Sequence, residues 1–210
     1  MAAEVALSFC LVLGALLLSS TMLGLVDQPL GFERDNVLTW KASLPLARYP
    51  GIAKQNDFYR RVLSELRRQP GVRASGMTRY LPLDGEQSTW DFLVEGRPLE
   101  DAGERLDVTL QPVSQDYFSA MGLRIVAGRG FGSADRADSL PVILVNETMA
   151  HRFFPGENPI GQRGRIFTPE NPLREIVGVV ADVRHAGLDV APEPRCTRLR
   201  IRCASAWATT

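Results

Sequence analysis

Apolar residues follow three different rhythms along this chain. The first is continuous: Val5 to Val26 reads VALSFCLVLGALLLSSTMLGLV without a single charge. About 20 apolar residues in a helix cross the hydrocarbon core of a bilayer. A helix pairs its own backbone groups there, so the run predicts one membrane-crossing helix within residues 1–27. The second rhythm is helical. Between Ala53 and Gln69, Phe58, Val62 and Leu66 recur at four-residue intervals, with Tyr59 and Leu63 beside them. The charged residues Lys54, Asp57, Arg60, Arg61, Glu65, Arg67 and Arg68 take the other face, and Pro70-Gly71 ends the pattern. Phe58, Val62 and Leu66 are therefore the predicted buried stripe.

The third rhythm is that of strands. Val37–Leu44 and Val72–Tyr80 flank the amphipathic helix and predict a β-α-β unit. Thr89–Glu95 and Leu106–Val113 predict two further strands in an inserted, mainly-β region. A short helix over Gln115–Met121 and a strand over Leu123–Ala127 come next. Pro141–Val145 and Glu175–Val183 are near-continuous apolar runs, the mark of strands covered on both faces. Asn146 stands where a helix to about Phe154 needs its cap, and Pro155–Gly164 reads as loop. Strands and helices mix without strict alternation. The fold class is therefore α+β: an N-terminal transmembrane helix, then a mixed-sheet extracytoplasmic domain over residues 28–194.

Residues 195–210, RCTRLRIRCASAWATT, break every rhythm. They carry four Arg, no acid and two of the three Cys. Without apolar residues in period, ordering such a segment costs about 1–2 kcal/mol per residue of backbone entropy with little return. The tail is expected to be disordered, or translated out of frame, and to add nothing to the fold.

Composition changes this picture in a few places. Twenty-four basic residues balance twenty-four acidic ones, so nothing marks a nucleic-acid partner. No Cys lies between residues 11 and 195, which leaves the domain without a disulfide framework. At the N-terminus, Glu4 stands where a cleaved secretory signal would carry Lys or Arg. Ser19, Ser20 and Thr21 are small enough to be cut, so cleavage stays open as the other reading. Asp27, Glu33 and Asp35 outnumber Arg34 just after the helix, which favours the extracytoplasmic side for the C-terminal part.

Candidate chemistry is sparse. No Gly-Lys-Ser/Thr cradle is present, so no ATP site is expected. Gly128, Gly130 and Gly132 precede no helix at dinucleotide spacing and read as a tight turn. His151 reads as an exposed helix residue and His185 as a strand-end residue; they are the only histidines and show no metal-ligand spacing. Asn146-Glu147-Thr148 matches a glycosylation sequon, yet capping alone explains Asn146. No catalytic, cofactor-binding or metal residue is assigned, and no cofactor is expected.

Several phrases then add up. GFERDNVLTWKASLPLARYP (31–50), FYRRVLSELRRQPGV (58–72), LPLDG (81–85), VSQDYFSAMGLRIVAGRGF (113–131), PVILVNETMAHRFFPGENPIGQR (141–163) and REIVGVVADVRHAGLD (174–189) occur in this order. The chain thereby resembles the MacB-like periplasmic core domain of ABC transporter permeases of the FtsX superfamily. The resemblance runs from residue 3 to about 194 and stops at the tail. It implies a non-catalytic extracytoplasmic domain held in the bacterial inner membrane by one helix. That domain would couple motion or bind partners in a transport complex. The implied partners are the membrane, a separate cytoplasmic ATPase subunit and further permease segments. The family continues into more transmembrane helices, so the resemblance also implies a truncated fragment unable to transport alone. The motifs read as structural: Asn146 as a helix cap, Gly161 in a turn, Gly178 at a close approach. The alternative class is a secreted or anchored hydrolase on an α+β scaffold, which would need titratable groups converging in a pocket.

Overall fold

The computed structural model describes residues 2–26, 28, 30–33, 35–97, 107–135, 139–166, 171–187 and 190–199. The first apolar run forms helix α1 (Ala2–Val26), and its side chains from Ala2 to Gly24 are exposed, unburied by the other described residues. It is apolar on every side, as lipid requires. Three of its hydroxyls are satisfied within the helix: Ser20 and Thr21 each donate to the Leu17 carbonyl at 2.9 Å, and Ser8 donates to that of Glu4 at 2.8 Å. That back-bonding is how a polar side chain is tolerated in an apolar span.

The amphipathic pattern forms α2 (Ile52–Arg67). Its buried pole is not the predicted stripe. Leu63 is the buried residue, while Phe58, Val62 and Leu66 are only half-buried. The reason lies in the flanks. Val37–Leu44 forms no strand and joins no ladder among the described residues, with Leu38 95% and Trp40 63% exposed. Val72–Tyr80 contributes only the isolated bridge Thr78 to Val113. The predicted β-α-β unit over residues 37–80 therefore does not form, and α2 has no sheet of its own to lie on.

The remaining strands are β1 (Thr89–Val94), β2 (Asp107–Val113), β3 (Ile125–Gly128), β4 (Val142–Asn146), β5 (Arg163–Ile166), β6 (Arg174–Val180) and β7 (Arg195–Leu199). Their order is β3-β6-β4-β7-β2-β1-β5, and β5 also pairs with β6, so the sheet curls until it closes on itself. It is mixed: β4 runs parallel to β6 and β2 parallel to β7, and the other pairs are antiparallel. Two short helices are α3 (Tyr117–Ala120) and α4 (Glu147–Phe153). The parallel β4 and β6 are joined through α4, with β5 in the crossover. β5 begins inside the predicted loop, at Arg163 and Gly164, and no strand is predicted over it: its RGRI has too few apolar residues to announce one.

Two cores lie on the two faces. One gathers Phe92, Val108, Leu110, Ile143, Val145 and Ile176 under Met149 and Phe153 of α4. The other gathers Val113, Leu144, Val177 and Val180 under Tyr117 and Phe118 of α3, with Phe32 and Val37 packed at its rim.

The expectation that the tail is disordered and adds nothing to the fold is overturned over its first five residues. Arg195–Leu199 form β7, fully buried between β4 and β2. A central strand satisfies its backbone on both edges, and the ladder does not depend on side-chain type. Cys196 then enters the α4-side core and Leu199 the α3-side core. Residues 200–210 lie outside the described residues.

Candidate functional surface

Two buried polar clusters hold the sheet to its neighbours. Asn146 caps α4, its Oδ1 accepting from Met149 N at 3.1 Å. The same oxygen accepts from Arg195 N at 2.7 Å. Its Nδ2 donates to Asp182 Oδ1 at 2.6 Å and to the Glu193 carbonyl at 2.9 Å. An amide offers two donors and two acceptor sites, and all are used. Asp182 also accepts from Thr148 N and from Thr148 Oγ1, at 3.1 and 2.7 Å. One buried amide thus joins the ends of β4 and β6 to the starts of α4 and β7. It also leaves the sequon residue inaccessible, at 4% exposure.

A second buried cluster sits under the loop before β1. Gln111 Nε2 lies 3.1 Å from the Tyr117 hydroxyl, 3.2 Å from the Tyr80 carbonyl and 3.3 Å from Thr78 Oγ1. Burial pushes the Tyr117 phenol up to about 12. Arg195, also buried, is brought down to about 10 and still carries its charge at neutral pH. His185 is brought down to about 3, first by burial and then by the positive charge of Arg195. It is therefore neutral, half-buried, and lies beyond the end of β6 rather than in a strand. His151 lies exposed in the last turn of α4. The two histidines serve separate places, and no cluster of three or more potential metal ligands occurs among the described residues.

The glycine motifs are geometric. Gly128 has φ +72°, and a Cβ on it would collide with the Val177 carbonyl. The next turn is clamped by Arg129, whose two terminal nitrogens meet Asp135 at 2.7 and 3.0 Å. Asp135 also accepts from Gly132 N at 2.7 Å. Gly161 turns at φ +86°, and a Cβ on Gly178 would strike the Arg129 carbonyl. These are the turn and the close approach read from the sequence.

Two features face outward. Next to α1, the chain from Leu30 to Glu33 is stitched into the domain. Leu30 is buried; its carbonyl accepts from Arg184 N at 3.2 Å, and Glu33 N donates to the Met121 carbonyl at 3.0 Å. No signal in the sequence pointed to this clasp, because its partners lie some 90 and 150 residues away along the chain. The second feature is an open groove along α2, lined by Phe58, Arg61, Val62, Glu65, Leu66 and Gln69. A smaller, less open one lies beside β1 and β5, lined by Leu93, Val94, Glu95, Gly96, Arg165 and Leu173. Neither groove brings a nucleophile to a base.

Comparison with known proteins gives this architecture its place. No curated protein matches the chain. Among solved structures it is similar to the periplasmic region of MacB from Actinobacillus actinomycetemcomitans, at 18% identity and a TM-score of 0.47. That match covers 67% of this chain and 54% of the other. It is also similar to the extracellular domain of the ABC-type transporter YknZ from Gram-positive bacteria, at 18% identity and a TM-score of 0.37. There the match covers 56% of this chain and 57% of the other. The chain thus spans about half the length of these solved domains. The family described as MacB-like periplasmic core domain matches residues 4–192, so β7 lies just past the matched residues. With nine-tenths of its length matched, from the apolar helix to the end of the β6 region, the chain belongs to the MacB-like periplasmic core domain family of ABC transporter permeases.

Proposed function

We propose that this chain is a non-catalytic, membrane-anchored extracytoplasmic domain that couples a bilayer helix to partners in a transport complex. The inner membrane is its site, with α1 as its single span and residues 28–210 outside the cytoplasm. A separate cytoplasmic ATPase and further permease segments are the partners. By itself the chain does not transport.

The observation that carries this reading is the clasp at Leu30–Glu33. α1 ends at Val26, and by Leu30 the backbone is already hydrogen-bonded into the domain. Four residues span at most about 14 Å. A tether that short passes displacement of the helix to the sheet instead of absorbing it. Gly31 tightens the clasp, since a Cβ there would strike the Asp182 carbonyl. Asp182 in turn holds Asn146 and the start of α4. The path from bilayer to sheet therefore runs from the clasp through Asp182 to Asn146, and the polar groups along it are spent on structure.

Electron–electron distance measurements test the coupling. Nitroxides on Cys10 and on a cysteine replacing exposed His151 are placed in the full chain in nanodiscs, with Cys203→Ser. One narrow distance peak is expected, broadened by a Gly-Ser-Gly insertion after Gln28. A broad distribution in the uninserted chain would overturn the coupling role. Cross-linking in intact cells, followed by mass spectrometry, should recover permease and ATPase subunits; a chain released to the soluble fraction would refute the anchor.

A further inference from the structure

We propose that the stretch just past the clasp, Val37–Asn56, is a lipid-docking edge: Leu38, Trp40 and Leu46 enter the interfacial layer of the bilayer that α1 spans, among anionic headgroups. This rests on the reading of α1 as a membrane anchor and adds a second, lateral contact to it.

The first observation is where apolar exposure falls. Outside α1, the three most exposed large hydrophobic residues among those described are Leu38 at 95%, Leu46 at 72% and Trp40 at 63%. All three lie within nine residues of one another, in the stretch that follows the span. Apolar exposure concentrated in one place marks a contact surface.

The second is position. Leu30 is fixed within reach of the end of α1, because four residues cover at most about 14 Å. From there the chain stays pinned: Glu33 N is held by the Met121 carbonyl, and Phe32 and Val37 pack at the rim of the α3-side core. Lys41 then closes back on the clasp. Its Nζ meets Asp84 at 3.0 Å, and Leu83 N donates to the His185 carbonyl at 2.9 Å. Arg184, the neighbour of His185, is the residue that holds Leu30. Leu38 and Trp40 are therefore displayed beside the end of the domain that the anchor draws to the bilayer.

The third is charge. From Val37 to Asn56 there is no acid, while Lys41, Arg48 and Lys54 are basic, in a chain whose charges balance overall. Asp84 and Glu86 engage Lys41. Arg48 and Lys54 are exposed and make no ion pair among the described residues. Trp and Leu flanked by Arg and Lys is a composition that settles at a membrane–water interface. The indole lies among the headgroups, the aliphatic chains reach the acyl boundary, and the cations face lipid phosphates. Lipid is favoured over a protein partner because the strip is fixed next to the span, where lipid is always in reach.

The test places nitroxides on single cysteines of the full chain, in nanodiscs of equal parts phosphatidylethanolamine and phosphatidylglycerol. One label sits at Leu38→Cys and a control at His151→Cys, each with Cys10→Ser and Cys203→Ser. A third sits on native Cys10 with Cys203→Ser. Cys196 is fully buried and stays in place. Collisions with oxygen, which partitions into lipid, and with a soluble nickel chelate, which does not, report depth. The oxygen-to-nickel ratio at residue 38 should exceed that at residue 151 several-fold. It should fall to the residue 151 value with Trp40→Asp. With Arg48→Glu/Lys54→Glu, or in phosphatidylcholine alone, it should fall part of the way. These positions are exposed, and circular dichroism should show the same melting throughout. Equal ratios at 38 and 151, with the Cys10 label deep in lipid, overturn the docking and leave the anchor standing. A Cys10 label that collides freely with nickel overturns both. A high ratio at 38 that Trp40→Asp leaves unchanged overturns the docking as well. In intact cells, benzoylphenylalanine in place of Leu38 should cross-link to phospholipid, and adducts to protein alone would sink the proposal.

Discussion

Val142–Asn146 and Val37–Leu44 are both rich in strand-forming residues, and they meet opposite fates. The first is β4, buried at every position between β6 and β7. The second forms no strand and pairs with none among the described residues, with Leu38 and Trp40 facing solvent. Alternation in 37–44 is clean enough: Leu38, Trp40, Ala42 and Leu44 share one side, and Thr39, Lys41 and Ser43 the other. What it lacks is a neighbouring strand among the described residues. Lys41 reaches Asp84 at 3.0 Å and Tyr59 donates to the Ala42 carbonyl at 3.4 Å, both weak exposed contacts that fix position without burying the apolar side. Side-chain pattern says which face wants cover. Whether cover exists is settled by strands elsewhere in the chain.

The sharpest way to break this comparison is to attack a strand that has neighbours and no pattern. Thr197 of β7 lies opposite Gln111 of β2 and Leu144 of β4. Thr197→Pro removes a donor from the middle of the sheet, a place where proline is not accommodated. Loss of cooperative unfolding is expected, read by tryptophan fluorescence of the full chain in nanodiscs against urea. Leu38→Ala, in the patterned but unpaired segment, should change stability by no more than about 0.5 kcal/mol. If the two variants unfold alike, β7 is not a central strand of the sheet.

That contrast also marks how much of the molecule was legible in the sequence. β1, β2, β4, β6 and all four helices fall within a few residues of their predicted spans, because each buries a face that its own period announces. Asn146 was legible as a cap because capping is local: its acceptor serves a backbone N–H three residues on. Its other three hydrogen bonds were not, since Asp182, Glu193 and Arg195 lie 36 to 49 residues away. β5 and β7 were missed for the same reason as each other. Their stability comes from ladders on both sides, and a strand so supported tolerates Arg195 and Arg198 at 7% and 5% exposure. The clasp, which carries the functional reading, and the α2 groove are products of tertiary neighbours and of a missing one.

Asn146→Ala probes the hub that joins the patterned and unpatterned strands. A cap alone is worth about 1 kcal/mol. Here the change also strands Arg195 N and leaves Asp182 without one of its donors in a part-buried setting, so the expected loss is about 2–3 kcal/mol. Asn146→Asp keeps the cap acceptor but loses both Nδ2 donors and sets a second carboxylate against Asp182. It should be no better tolerated than alanine, and a fully stable aspartate variant would mean the Asp182 contact is not made.

A smaller effect comes from His185. Its folded value lies near 3, below the ordinary 6.5, because burial and Arg195 disfavour the charged ring. The neutral form therefore supports the fold at neutral pH. As pH falls below 6.5 the unfolded chain takes up a proton that the folded chain refuses, and stability declines at up to about 1.4 kcal/mol per pH unit. The decline continues until the folded ring itself titrates. Between pH 6.5 and 5.5 the wild type should lose on the order of 1 kcal/mol, and His185→Asn should lose less over the same interval. Parallel curves for the two would show that the ring is solvated.

The finest comparison lies within one helix. Val62 and Leu63 are adjacent, both apolar, and the four-residue period favours Val62 as the buried one. The structure buries Leu63, at 9% exposure, and leaves Val62 lining an open groove. Leu63→Ala should then cost about 2 kcal/mol, the lower end for a large-to-small change at a buried site. Val62→Ala deletes two methyls that are only half-covered, and the cost should stay below about 1 kcal/mol. Urea midpoints in dilute nanodiscs, one chain per disc, give the intramolecular difference. Equal losses at the two positions would mean that α2 is rotated toward its apolar stripe, and that the groove is closed from within the chain.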